Sequence, residues 1–244
     1  MRTYLYDGSF EGFLTALSLA LDSAAPCAIA KEDAEEAGLF SEFINSGTDP
    51  LRASVARDLV ERRGSTESWQ HVRFAFLSEV TGAETGILKY VKLLAKKGPG
   101  ADNMLADDRV RKIHRLSASV GGEAHMFKGF VRFKELADKT LYSRIEPDHN
   151  ILALLVPHFR ARLGTFNWVI HDARRNNAAL YFKGRLIYAP LDSARLLEDA
   201  KEAEVRELWQ HFFKTVAIKE RINPKLQRQN VPLKYRKNLT EFDT

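Results

Sequence analysis

The apolar positions of the chain switch between two periods. Over residues 10–21, Phe10, Phe13, Leu14, Leu17 and Leu21 recur every three or four positions, the spacing of one buried helix stripe, and Ser9 stands where an N-cap belongs. A short strand at 3–6 precedes this helix across Asp7-Gly8, and Pro26 closes it before a second short strand at 27–30. Helices are predicted over 51–63 and 67–80, parted by Arg63-Gly64-Ser65, with Ser65 or Thr66 as the cap. The next stripe, Ile87, Leu88, Val91, Leu94 and Ala95, stops at Lys97-Gly98-Pro99-Gly100. A further helix over 102–120 turns Ala106, Val110, Ile113, Ser117 and Val120 inward and Arg109, Arg111, Lys112 and Arg115 outward.

Gly121-Gly122 reads as a break, and beyond it the period drops to two. Residues 127–134 alternate Phe127, Gly129, Val131 and Phe133 with Lys128, Phe130, Arg132 and Lys134, as a half-buried strand would. Residues 141–146 alternate likewise. A helix is predicted from Glu146-Pro147-Asp148, with Leu152, Leu155, Val156, Phe159 and Leu163 buried and Pro157 kinking it. A strand at 166–172 follows, then two more at 180–182 and 185–188 joined through Lys183-Gly184. Val205, Leu208, Trp209, Phe212, Phe213 and Val216 form the best-patterned helix stripe, and Pro224 and Pro232 enforce an extended end. The fold class expected is α+β. A mostly helical half over 1–120 opens with a β-α-β unit. An antiparallel β-β-α-β-β sheet over 121–244 is closed by the C-terminal amphipathic helix.

Composition narrows the classes of function. No run reaches the eighteen or so apolar residues of a membrane span, and residues 1–6 do not begin a signal peptide, so a cytoplasmic protein without membrane contact is expected. The single cysteine, Cys27, rules out an internal disulfide, a cysteine zinc site and a three-cysteine iron–sulfur cluster. Asp7-Gly8-Ser9-Phe10-Glu11-Gly12 matches neither glycine-rich phosphate loop, and no cofactor or metal is assigned. Net charge is +5 with a pI near 9.2. Between Lys214 and Lys237 eight cations face one anion, Glu220, a density that favours an acidic partner.

Four separated segments, YDGSFEGF, EAHMFKGFVRF, HFRARLGTFNWVIHDARR and LWQHFFKTVAIKERINPKLQRQNVPLKYR, resemble a bacterial family described as DNA metabolism proteins. The resemblance spans essentially the whole chain. It implies a role beside a radical SAM protein of DNA modification or repair, and a domain that elsewhere occurs fused to a uracil-DNA glycosylase-type domain. The positions it marks are Glu123, His125, Lys128, Gly129, Arg132, His158, Arg162, His171, Asp172, Arg175, Arg221 and Asn223.

The chemistry-bearing residues concentrate in 123–190. Glu123, His125, His158, His171 and Asp172 are the candidate catalytic groups, for general acid–base work or a metal, although no HExxH, paired-carboxylate or GxSxG spacing supports them. His171 and Asp172 are neighbours on a strand and point to opposite faces, so they form no dyad with each other. The candidate nucleic-acid contacts are Lys128, Phe130, Arg132, Lys134, Tyr142, Arg144, Arg160, Arg162, Arg174, Arg175, Arg221, Lys225 and Arg228, cations interleaved with aromatics. The leading expectation is an accessory protein that binds nucleic acid, chiefly DNA, and works with a radical SAM partner. The alternatives are a hydrolytic enzyme acting on DNA through the His/Asp/Glu set, and an adaptor that never touches DNA.

Overall fold

The structure is a computed structural model that describes residues 1–32, 42–136, 139–191, 230–236 and 238–239. It is an α+β protein with two sheets, and it divides into two compact units, Met1–Gly122 and Glu123–Thr244. No helix among the described residues is long and apolar enough to cross a membrane.

The first unit opens with β1 (Arg2–Tyr6), α1 (Phe10–Asp22) and β2 (Cys27–Lys31), the expected β-α-β start, with the Ser9 side chain accepting from the Gly12 amide. A strand that the sequence pattern did not reveal, β3 (Glu42–Asn45), pairs parallel to the other side of β1, giving the order β2-β1-β3. Helices α2 (Pro50–Arg63), α3 (Thr66–Leu77) and α4 (Ala83–Lys97) follow, the first two capped by Asp49 and Ser65. They pack on a core that includes Tyr6, Phe13, Leu17, Val60, Ile87 and Leu94. Gly98 adopts φ 77 at the end of α4, a conformation that L side chains rarely adopt. The chain then reverses into a 3₁₀ turn, Pro99–Asn103, which lays Asp102 beside Tyr90 of α4.

Helix α5 (Asp108–Phe130) overturns two expectations. Gly121-Gly122 is not a break but lies inside this helix, and residues 127–130 are its last turn rather than a strand. A Cβ at Gly121 would stand 3.3 Å from the Phe74 ring, so the glycine serves a close approach between helices. The buried positions Ile113, Ser117, Val120, Ala124 and Phe127 keep helical spacing straight through the pair. The proposed row of Lys128, Phe130, Arg132 and Lys134 on one sheet face therefore does not exist. Only Lys134–Glu135 is strand, β4.

The second unit's sheet runs β4-β5-β6-β7-β8, with β5 (Leu141–Ile145), β6 (Trp168–Asp172), β7 (Asn177–Phe182) and β8 (Arg185–Pro190). The β5–β6 pair is parallel and the others are antiparallel. The parallel pair follows from the connection: α6 (Leu152–Arg162) carries the chain back between them, as a crossover must. That helix begins at Leu152, not at Glu146-Pro147-Asp148, and Pro157 sits inside it. A short α7 (Leu233–Arg236) brings Tyr235 into the interior. The stripe over 205–216 and the cations Arg221, Lys225 and Arg228, with Asn223, lie outside the described residues.

Candidate functional site

The acidic groups expected to do chemistry are occupied in holding the sheet unit together. Glu123 is buried on α5, where its two carboxylate oxygens accept from the backbone amides of Asp148 and His149, each at 2.8 Å. The Tyr235 hydroxyl also donates to it, and burial together with this carboxylate raises the phenol's pKa. These amides belong to the turn before α6, which is why Glu146-Pro147-Asp148 cannot start the helix. Lys234 holds Asp148 below the usual carboxylate range, and Arg174 adds a bond at 3.0 Å. Arg175 donates to Asp172 Oδ2 at 2.9 Å and to the carbonyls of Asp148 and Pro147 at 2.8 and 3.2 Å, so it staples that turn to the end of β6. Burial raises the pKa of Asp172 in spite of the guanidinium.

The histidines do not gather around these carboxylates. His171 is buried and hydrogen-bonded through Nδ1 to the Tyr142 hydroxyl at 2.8 Å, and burial, with Arg144 nearby, lowers its pKa. His158 packs edge-on against Phe159 of α6, and His125 is exposed on α5. Among the described residues, Glu123, His125, His158, His171 and Asp172 form no grouping with ligand spacing.

The cations sort into held and open. Arg132 Nη1 donates to the Gly129 carbonyl at 2.6 Å, Lys134 lies over the Tyr142 ring, and Arg144 pairs with Glu146 at 3.1 Å. Phe130 packs against both Phe127 and Tyr235, which also touch each other. In the helical unit, Arg109 and Arg111 pair with Asp107 and Asp108 of the same helix end. Lys128, Arg160 and Arg162 are exposed, the latter two in the last turn of α6, where they offset the negative end of the helix dipole.

Two further cations, which the sequence reading passed over, lie where the β7–β8 turn meets the loop that follows Arg160 and Arg162. The loop after α6 meets the β7–β8 turn: Tyr181 donates to the Gly164 carbonyl at 3.4 Å, and the Lys183 amide to Asn167 Oδ1 at 3.0 Å. Lys183 lies in that turn and Arg185 directly follows it, and both are exposed. The same loop and strand end leave two aromatic rings in solvent, Phe166 at 54% and Phe182 at 49% exposure. The Lys183 ammonium lies 5.4 Å from the centre of the Phe182 ring. No described acidic side chain pairs with Arg160, Arg162, Lys183 or Arg185. The hairpin signal that placed Lys183-Gly184 in a turn was the clue to this end of the sheet.

A third constellation lies in the helical unit, and periodicity could not have found it. Asp102 Oδ1 accepts from the Tyr90 hydroxyl at 2.5 Å and from His114 Nε2 at 2.7 Å, and His71 Nδ1 lies 3.5 Å away. The two imidazole rings are 4.0 Å apart, centre to centre. Burial, and then His114, lower the pKa of His71, so it is neutral at neutral pH. Burial opposes ionisation of Asp102, yet the bonds from Tyr90 and His114 bring its pKa below the ordinary value. The four groups come from α3, α4, the 3₁₀ turn and α5. The one sequence signal was Tyr90, a phenol within the apolar stripe of α4, whose buried hydroxyl required a partner.

Residues 81–241 match the family DUF4130, a domain of unknown function. The chain belongs to this family. Tyr90, Asp102, His114 and the whole described sheet unit fall within the DUF4130 match, and His71 precedes it. No curated protein and no solved structure matches the chain.

Proposed function

We propose that this DUF4130 chain is a nucleic-acid-binding protein of DNA metabolism that works with a radical SAM partner in the cytoplasm. The resemblance of its four segments to DNA metabolism proteins supplies the pathway and the partner. The observation that carries the binding itself is the contact between the loop after α6 and the β7–β8 turn, which leaves Phe166 and Phe182 half-exposed on segments that also carry the exposed Arg160, Arg162, Lys183 and Arg185. Exposed rings offer stacking faces to unpaired bases, and exposed cations track the phosphates between them. Rings on a loop and a turn tip suit single strands better than the grooves of a duplex, whose bases are already stacked.

Fluorescence anisotropy with labelled single-stranded and duplex DNA over a salt series tests this reading. With four phosphate contacts, the log–log salt slope on single strands is expected near roughly −3. Replacing both Phe166 and Phe182 by alanine is expected to weaken single-strand binding by about 1–3 kcal/mol per stacked base without lowering the melting temperature, because neither ring is in the core. Binding of equal strength in the double variant refutes the stacking end. No binding at low salt, with or without the radical SAM partner, refutes the function and leaves a protein-only adaptor.

A further inference from the structure

The His71–Asp102–His114 cluster lies outside everything that nucleic-acid binding uses. We propose that it is a binding site for a divalent first-row transition ion, zinc in the first instance, held by two imidazoles and one carboxylate. Among the described residues it is the grouping of three whose ligand atoms lie within 4.8 Å of one another.

The donor set has the right chemistry. Imidazole nitrogen with one carboxylate oxygen suits zinc and the neighbouring transition ions rather than calcium or magnesium, which prefer all-oxygen shells. Ligands bound at the usual zinc distances around a tetrahedral ion stand about 3.3 Å from one another. The His71–Asp102 separation of 3.5 Å already has that value, and the 2.7 Å hydrogen bond from His114 would open by roughly half an ångström on exchanging its proton for the ion.

Three details favour a ligand over a closed hydrogen-bond network. The first is crowding: Tyr90, His114 and His71 all converge on the single oxygen Asp102 Oδ1. The second is His71 Nδ1, which is buried, lies 3.5 Å from that oxygen, beyond good hydrogen-bond length, and has no hydrogen-bond partner among the described residues. The third is proximity: the two imidazole rings lie 4.0 Å apart, and each brings a nitrogen within 3.5 Å of the same carboxylate oxygen.

Tyr90 fits as the outer support that orients the carboxylate, as such donors commonly do around bound zinc. Glu67 stands one turn before His71 on α3, and its charge is felt by both Asp102 and His71. The side chains of His71, His114 and Asp102 are 23%, 27% and 12% exposed, so solvent reaches the site without flooding it. Three protein ligands and an accessible face are the pattern of a site that keeps a position for water, not of a closed structural one.

The test uses the full chain stripped with a chelator and then titrated with Zn²⁺ by calorimetry and with Co²⁺ by visible absorption, at neutral pH. One equivalent of each is expected to bind. His71→Asn with His114→Asn should abolish stoichiometric uptake, whereas His125→Asn, at an exposed position on α5, should leave it intact. Tyr90→Phe should keep the stoichiometry and weaken binding roughly 10-fold. If the double variant does not fold, the unaltered protein decides: Co²⁺ must perturb the imidazole resonances of His71 and His114 before those of His125 and His149. Absence of one-equivalent binding, undiminished uptake by a folded double variant, or perturbation of the other histidines first overturns the site. Because the readout is ion binding, it stands or falls independently of DNA affinity.

Discussion

Two buried carboxylates, one in each unit, are held by very different donors. Glu123 takes two bonds from backbone amides and one from the Tyr235 hydroxyl. Asp102 is approached by the Tyr90 hydroxyl and two imidazoles. Backbone amides cannot release their protons and move only when the chain moves, so a carboxylate bound to them is part of the fold. Imidazoles exchange a proton for a metal ion or for nothing at all, so a carboxylate facing them can change partners in place. The first arrangement is architecture and the second is chemistry, although it was Glu123 that the sequence recommended.

The largest effect that would break this contrast is on stability. Glu123→Ala removes the acceptor of two half-buried amides and the nearer acceptor of the Tyr235 hydroxyl, and is expected to cost roughly 3–5 kcal/mol in urea unfolding. Asp102→Asn keeps an acceptor for Tyr90 and exposes no backbone group, so its cost is expected to be about 1–2 kcal/mol. Equal costs would show that Asp102 is as structural as Glu123. Unlike Glu123→Ala, Asp102→Asn should also remove metal uptake while the protein remains folded.

Much of the fold was legible because its elements are locally consistent. The stripes of α1 and α4, the caps at Ser9 and Ser65, the stop at Gly98 and the β7–β8 hairpin each follow from residues close in sequence. Two glycines misled the reading of α5, because composition at Gly121-Gly122 outweighed a stripe that continues from Val120 to Ala124 and Phe127. The strand β3 was missed because its exposure pattern lacks alternation. The candidate site was less legible still. Glu123, His171, Asp172 and Arg175 were singled out as catalytic or nucleic-acid-binding candidates, but a sequence does not say whether a polar residue meets a backbone amide or a ligand. His71, Asp102 and His114 come from three separate elements and share no spacing, so only the reversal at Gly98 and the packing of α3 and α5 bring them together.

The smallest effect distinguishing the two regions is their response to acid. His71 and His171 both have folded-state pKa values below the ordinary 6.5, chiefly through burial. The unfolded chain therefore binds more protons than the folded one just below that pH, and stability falls as pH drops from about 6.5 toward the folded values. More than about one pH unit above 6.5 neither group contributes appreciable pH dependence. His171 is in the interior against Tyr142, with no route for the proton's hydration, whereas His71 has a partly open face and the Asp102 carboxylate beside it. His171→Asn is thus expected to flatten the fall in unfolding midpoint between neutral and mildly acidic pH more than His71→Asn does. Saturating Zn²⁺ should steepen the fall for the unaltered protein, since protons then compete with the ion for His71 and His114. A zinc-bound protein whose stability declines with acid no more steeply than the stripped one would place Asp102 on the architectural side with Glu123.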